Sequence, residues 1–262
     1  MEKIKNVSKI LFWPILLGII QIIIFVISFF FFINIKSNEF TGNKLNDYIN
    51  SNNFNMDLLN FMSTNIYIII LSLLLNCIFI IYLYKYYKKI VKMKTNKITY
   101  KPIIINSIVI CLLLNLILPN KQNNVDFSIY LLITTSLLGP VVEELIFRGL
   151  IYNKLTINNK KSKILTTILF SLIHLNIIKI IYSFFIGLYF IYLQEKYQNI
   201  KTPIISHITM NSFIYLIFPY IFNLSDNIKI ILIILLIIYT IFTIIKSKIC
   251  IKHIFLPNKM VY

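Results

Sequence analysis

Few residues in this chain can do chemistry inside its apolar segments. Only nine of 262 residues are acidic, and seven of them (Glu2, Glu39, Asp47, Asp57, Asp126, Glu195 and Asp226) stand in tails, in loops or at the ends of apolar runs. The other two, Glu143 and Glu144, lie side by side within the run SLLGPVVEELIFRG. An ionisable side chain inside a membrane span costs about 2.5–3.5 kcal/mol on an insertion scale, so such residues face a bundle interior or a wet cavity. On a helix Glu144 and Arg148 stand at i and i+4 and can pair. Glu143 is rotated by about 100° and does not share that partner. One acid is neutralised and the other is left over. Arg148 is the sole arginine of the chain, and its rigid guanidinium fork suits a fixed ion pair better than lysine does. Histidine is equally sparse. His253 lies in the basic tail and reads as inert, whereas His174 and His207 lie within apolar runs. Carboxylates and imidazoles held together in a bundle equip either a general acid–base catalyst or a proton relay.

The elements that must hold these groups are apolar helices. Apolar residues make up 58% of the chain, charged residues 13%, and mean hydropathy is +0.80. A soluble domain carries about twice that charged fraction, which excludes a soluble enzyme, a disordered chain and a secreted disulfide scaffold. Cys77, Cys111 and Cys250 show no CxxC spacing, so they form no zinc knuckle and serve packing. The net charge of +17 on so apolar a chain reads as a topology signal and as contact with anionic lipid at the cytoplasmic leaflet, not as nucleic-acid binding. The Tyr82–Lys97 stretch reads as an aromatic belt followed by a polybasic strip. Asn34–Asn65 reads as a polar outside loop, disordered in part.

A span needs about 20 apolar residues. The fold class is therefore an all-α polytopic membrane bundle of about eight helices: 10–33, 66–84, 103–118, 128–147, 164–178, 180–194, 203–222 and 230–245. The first run is too long for a signal peptide and reads as a retained anchor. The 164–194 stretch is either one long tilted helix or two short ones meeting near Asn176–Lys179. Eight spans with both termini inside place 21 of the 26 cationic residues on the cytoplasmic side; seven spans place 16 there. The positive-inside rule favours eight. Residues 1–127 then hold three helices, 128–222 form the core, and 223–262 hold the last helix and a basic cytoplasmic tail. In this arrangement Glu143 and His207 lie about 6 Å, and His174 about 15 Å, from the cytoplasmic edge at 1.5 Å per residue. All three can meet in the inner half of the bilayer. Gly139–Pro140 is expected to kink its helix or open its hydrogen-bond ladder.

At these positions the chain resembles the CPBP family of intramembrane proteases, which includes the type II CAAX prenyl endopeptidases and bacteriocin-processing or self-immunity proteins. The marks are Glu143-Glu144-Leu-Ile-Phe-Arg148, Phe170-Ser-Leu-Ile-His174 and His207-Ile-Thr-Met-Asn211, and the resemblance covers roughly residues 128–222. It implies peptide-bond hydrolysis with a peptide or membrane-protein substrate, reached in a bacterial cell membrane if the coding bias toward Ile, Asn and Lys marks the source. Glu143, His174, His207 and Asn211 are the implied catalytic residues: Glu143 as base, His174 positioning the water, and His207 with Asn211 donating to the oxyanion. Glu144, Arg148 and Phe170 are the implied structural support. The cofactor is either none or one divalent metal, with Glu143, His174 and His207 as the implied zinc ligands. Two rival readings use the same residues: an ion-coupled transporter, which would show repeat-related broken helices, and a non-proteolytic immunity or scaffold protein.

Overall fold

A computed structural model describes residues 2–40, 44–91, 98–118, 128–156 and 161–247. His253, Cys250, Asp126, the C-terminal lysines and the centre of the Lys85–Lys101 segment lie outside the described residues. Every regular element among those described is helical, as expected where lipid offers the backbone no hydrogen-bond partners. In chain order they are α1 (Glu2–Glu39), α2 (Lys44–Ile49), α3 (Asn52–Thr64), α4 (Ile66–Ile90), α5 (Tyr100–Ile117), α6 (Ile129–Leu155), α7 (Ser162–Leu172), α8 (Ile177–Tyr197), α9 (Lys201–Leu216), α10 (Phe218–Phe222) and α11 (Asp226–Ser247).

Six of these, α1, α4, α5, α6, α8 and α11, are long and apolar enough to cross a membrane. Their exposed surface is apolar, for example Ile22 and Phe30 on α1, Ile78 on α4 and Phe242 on α11. The chain is an integral membrane protein. Among the described residues the expected count of about eight is not confirmed, because two of the eight apolar runs form helices shorter than a full span. The 11 residues of α7 span about 16 Å at 1.5 Å per residue. The 16 residues of α9 span about 24 Å, under the roughly 30 Å of hydrocarbon, and include Thr202, Ser206, His207, Thr209, Asn211 and Ser212. The 164–194 stretch is two helices. Leu175 adopts a left-handed φ of 54° that ends α7, and the Asn176 side chain accepts from the amides of Ile178 and Lys179 to start α8.

The chain divides into two compact units. The first comprises Met1–Tyr82 with Asp126–Thr134. In it the described part of the Asn34–Asn65 region, expected to be a loop disordered in part, is mostly helical. α1 runs on to Glu39, and α2 and α3 fold back so that Phe54 and Leu58 bury against Phe32. Tyr48 donates to Asp57 at 2.5 Å. Burial, together with the carboxylates of Asp57 and Glu39, raises the Tyr48 phenol to about 12.

The second unit, Leu83–Val125 with Thr135–Tyr262, contains all the candidate residues. α9 is its centre, packed against α5, α8 and the middle of α6, while α7 packs along α8. Ser107 and Ser206 share a hydrogen bond of 2.7 Å that fastens α5 to α9. α11 lies along α5, with Tyr239 donating to Asn106 at 3.2 Å. Tyr87, expected in the aromatic belt, is instead 2% exposed and packs on Gly149; a Cβ at that glycine would stand 3.1 Å from the Tyr87 ring.

Candidate active site

α6 is not a regular α-helix. It winds as π-helix over Leu132–Leu138 and again over Leu145–Tyr152, with an α-helical stretch at Gly139–Glu144 between them. This is the opened ladder expected at Gly139–Pro140. Pro140 has no N–H to offer the carbonyl five residues earlier, that of Thr135, which a π-turn would pair with it. The Nδ2 of Asn211 donates to this carbonyl at 2.9 Å, so the break in α6 fixes the Asn211 amide. The second π stretch leaves carbonyls served by side chains: Arg148 O accepts from Asn153 and Gln194, and Gly149 O accepts from Asn153.

Glu144 and Arg148 pair as their spacing requires, with Nη1 to Oε1 at 3.0 Å and both side chains 0% exposed. Arg148 does not end the helix: its side chain is sealed in protein and α6 continues to Leu155. The guanidinium lies 4.0 Å from the Phe170 ring centre and 5.2 Å from that of Phe190, and Nη2 donates to Gly187 O at 3.2 Å. Stacking on aromatic faces while two fixed nitrogens donate to separate acceptors is what arginine supplies and lysine does not.

Glu144 does more than hold Arg148. Its Oε1 also accepts from Nδ1 of His207 at 2.9 Å. Glu143, 23% exposed at its side chain, brings Oε2 to 3.9 Å from His207 Nε2. The Oε2 atoms of both glutamates and the Nε of Arg148 are buried without hydrogen-bond partners, a concentration of unsatisfied polar atoms typical of sites that do chemistry. His174 stands one ring away. Its imidazole meets Phe170 edge-on at 5.4 Å, and Phe170 meets His207 at 6.0 Å. Among the described residues it makes no hydrogen bond or ion pair with Glu143 or His207; its Nδ1 faces Phe170 O at 3.2 Å. The structure thus joins Glu143, Glu144, Arg148 and His207 directly, His174 through Phe170, and Asn211 through Thr135.

The expected zinc set is not assembled. Among the described residues no group of three or more His, Cys, Asp or Glu side chains is placed to hold a metal ion.

Residues that sequence reasoning missed are mainly those that let helices approach. At Gly187 a Cβ would stand 2.8 Å from Thr167 Cγ2, 3.0 Å from Arg148 Nη2 and 3.1 Å from Phe170 Cδ1. The available signal was glycine scarcity: of five glycines, Gly139, Gly149 and Gly187 fall in this unit. At the ends of α6 and α8, Glu195 accepts from Tyr152 at 2.5 Å and pairs with Lys163 at 2.7 Å, clamping α6, α7 and α8 together. Gly187→Ala is expected to lower stability by about 1–3 kcal/mol through overpacking and to cost turnover, because the colliding atoms belong to the arginine clamp. Thr167→Ser in the same chain should restore part of both, since it removes the nearest carbon. Gly18→Ala, with nothing within 4 Å, is the control and should be neutral or slightly stabilising. Melting curves in detergent test all three; an unchanged Gly187→Ala protein would refute the close-approach argument.

Comparisons with known proteins fall on the same segment. Residues 125–213 match the family model for "Type II CAAX prenyl endopeptidase Rce1-like". The protein named "Putative membrane peptidase YdiL" of Bacillus subtilis (strain 168) is 28% identical over 86 residues, 32% of this chain and 35% of that relative. The match thus spans about a third of the curated relative. No solved structure matches. The segment that carries Glu143, Glu144, Arg148, Phe170, His174, His207 and Asn211 is therefore similar to the Rce1-like type II CAAX prenyl endopeptidases.

Proposed function

We propose that this chain is an intramembrane endopeptidase that cleaves a peptide, or the C-terminal region of a membrane-associated protein, by an activated water. The observation that carries the proposal is the Glu143–His207 approach of 3.9 Å beside a sealed Glu144–Arg148 pair. It leaves one carboxylate without a cation partner next to an oriented imidazole. Glu143 takes a proton from water as the oxygen attacks the scissile carbonyl carbon, and the new C–O bond leaves a tetrahedral oxyanion. Asn211 Nδ2 donates one N–H to Thr135 and offers the other to that oxyanion. The C–N bond then breaks as the leaving nitrogen takes the proton from Glu143. His174 borders the site and orients the incoming chain or water. Comparing protein termini in cells carrying the wild type and Glu143→Gln tests the proposal. Neo-termini present only with the wild type identify substrates, a small leader-bearing peptide among them pointing to bacteriocin processing; identical termini in both strains would sink the protease reading.

No step is assigned to metal, because the donors do not form a ligating set. Turnover of a quenched peptide is expected to survive exhaustive chelation. Activity lost to a chelator and restored by zinc would overturn this assignment.

The proposal also sets orientation: with α7 and α9 taken as short crossings beside the six long helices, the cation excess places both termini and the α8–α9 turn on the cytoplasmic side. A cysteine at Lys196, an exposed position, in an otherwise cysteine-free chain is expected to react with an impermeant reagent only after permeabilisation. Labelling in intact cells would reverse the topology.

A further inference from the structure

We infer that the connection between α7 and α8 holds one residue of the substrate in extended form, through the Leu175 carbonyl and the Ile177 amide. The inference rests on the proposed hydrolytic function and names how the substrate's main chain is gripped.

Asn176 stands between the two helices with φ −116° and ψ 128°, close to the dihedrals of a parallel β-strand. Its side chain and its carbonyl are both spent on α8. The side chain accepts from the amides of Ile178 and Lys179, each at 3.1 Å, and the carbonyl accepts from that of Ile180 at 2.7 Å. These three bonds fix Asn176 in the extended form. Beside an extended residue, the preceding carbonyl and the following N–H point to one side, away from the residue's own pair. Here those groups are Leu175 O and Ile177 N–H. Neither has a hydrogen-bond partner among the described residues. Ile177 opens α8, where an N–H has no carbonyl one turn earlier. Leu175, with its left-handed φ of 54°, lies past the end of α7.

Such a carbonyl and N–H are one half of a parallel bridge. A single residue of an incoming chain completes it, giving its N–H to Leu175 O and taking Ile177 N–H on its own carbonyl. The bridge reads no side chain, so it sets the direction and register of the bound chain and tolerates many sequences.

Its position makes the occupant the peptide substrate. His174 is the residue before Leu175, its ring meets Phe170, and Phe170 meets His207 beside Glu143. Residues 125–213, which match the prenyl endopeptidase model, include this connection and independently call for a peptide near these groups. Leu175 and Ile177 are 91% and 69% exposed, so the bridge is open to an incoming chain and has apolar side chains at both ends. An apolar segment drawn from a membrane suits both features. Lipid offers no partner to an exposed carbonyl or amide, whereas an extended peptide satisfies the two together.

Proline tests the amide by itself. Ile177 is at the first helical position, where proline is well tolerated, and Asn176 already has the dihedrals favoured before a proline. Ile177→Pro should therefore melt no lower than Ile177→Ala while lacking the N–H. Ile177→Ala loses the same side chain, keeps the N–H, and is the reference. Both are made in the Glu143→Gln protein, so no turnover enters the measurement. The probe is a short fluorescent apolar peptide, selected from a random library for binding Glu143→Gln in detergent. Ile177→Pro is expected to bind it about 3–10-fold more weakly than Ile177→Ala, the loss of one hydrogen bond. Replacing each amide of the probe by an ester in turn removes one N–H at a time. One position should weaken binding to Ile177→Ala, and its effect should shrink in Ile177→Pro, because the two bonds belong to one bridge. Equal affinity in the two folded variants overturns the inference. If Ile177→Pro fails to insert, the ester series on Glu143→Gln decides, and a series with no responsive position overturns it, since Leu175 O then receives no N–H. A protein with the expected affinities whose wild type cleaves no peptide sinks the protease reading and leaves the bridge standing. An active protease with equal affinities does the reverse.

Discussion

Glu143→Gln is expected to give a folded, membrane-inserted protein whose peptide turnover falls by about 10²–10⁴-fold, the contribution of a general base. Glutamine is nearly isosteric with glutamate, so the helix packing of α6 is unchanged and only the basic lone pair is lost. Folding should be spared for a second reason. Glu143 Oε2 has no hydrogen-bond partner among the described residues, and His207 Nε2 is 3.9 Å away. Removing an uncompensated charge from a membrane bundle relieves a desolvation cost, so the melting temperature should hold or rise. Turnover of a quenched peptide beside a melting curve in the same detergent measures both quantities. Full activity in Glu143→Gln would show that the leftover acid is not the base.

The neighbouring acid should behave in the opposite way. Glu144 and Arg148 are both 0% exposed, so Glu144→Gln leaves a buried guanidinium without its counter-charge, a loss of roughly 3–5 kcal/mol. Arg148→Ala strands the carboxylate and also removes the hydrogen bond to Gly187 O and the stacking on Phe170, so its damage should equal or exceed that of Glu144→Gln. The double substitution Glu144→Gln/Arg148→Ala should cost less than the two single effects summed, because both remove one interaction. Adjacent glutamates would thus separate cleanly, one inactive and stable, the other unstable. Strict additivity in the double-mutant cycle, or a Glu144→Gln protein as stable as Glu143→Gln, would show that the pair has been assigned the wrong way round.

Several features of this site were legible before any coordinates. An i, i+4 relation is a property of the helix itself, so Glu144 and Arg148 were bound to meet wherever α6 was helical, and Glu143 was bound to miss that arginine. The apolar runs dictated helices, because lipid leaves the backbone no other partner. Gly139–Pro140 announced the break in α6. The number of long helices was less secure: apolar residues mark where helix is permitted, while Leu175 and the polar residues of α9 determine where it is short.

What the sequence could not contain is the contact between helices. That His207 points Nδ1 at Glu144 and Nε2 at Glu143 depends on how α9 is seated against α6, and α9 is fastened to α5 by the Ser107–Ser206 bond. The π-turns add a further obstacle. Each extra residue in a turn rotates the remainder of the helix by about 100°, so a regular 3.6-residue period carried through residues 132–152 assigns faces wrongly. Sequence by itself determined which side chains were available for chemistry and which of the two glutamates was neutralised, because both depend on composition and local helix geometry. Only the tertiary structure decided that Glu144 serves His207 as well as Arg148, that Asn211 is held by Thr135, and that His174 meets the ring of Phe170, which in turn meets His207. These relations join separate helices, with partners as far as 63 and 76 residues apart in the chain, and the rotational phase of one helix against another is set by packing.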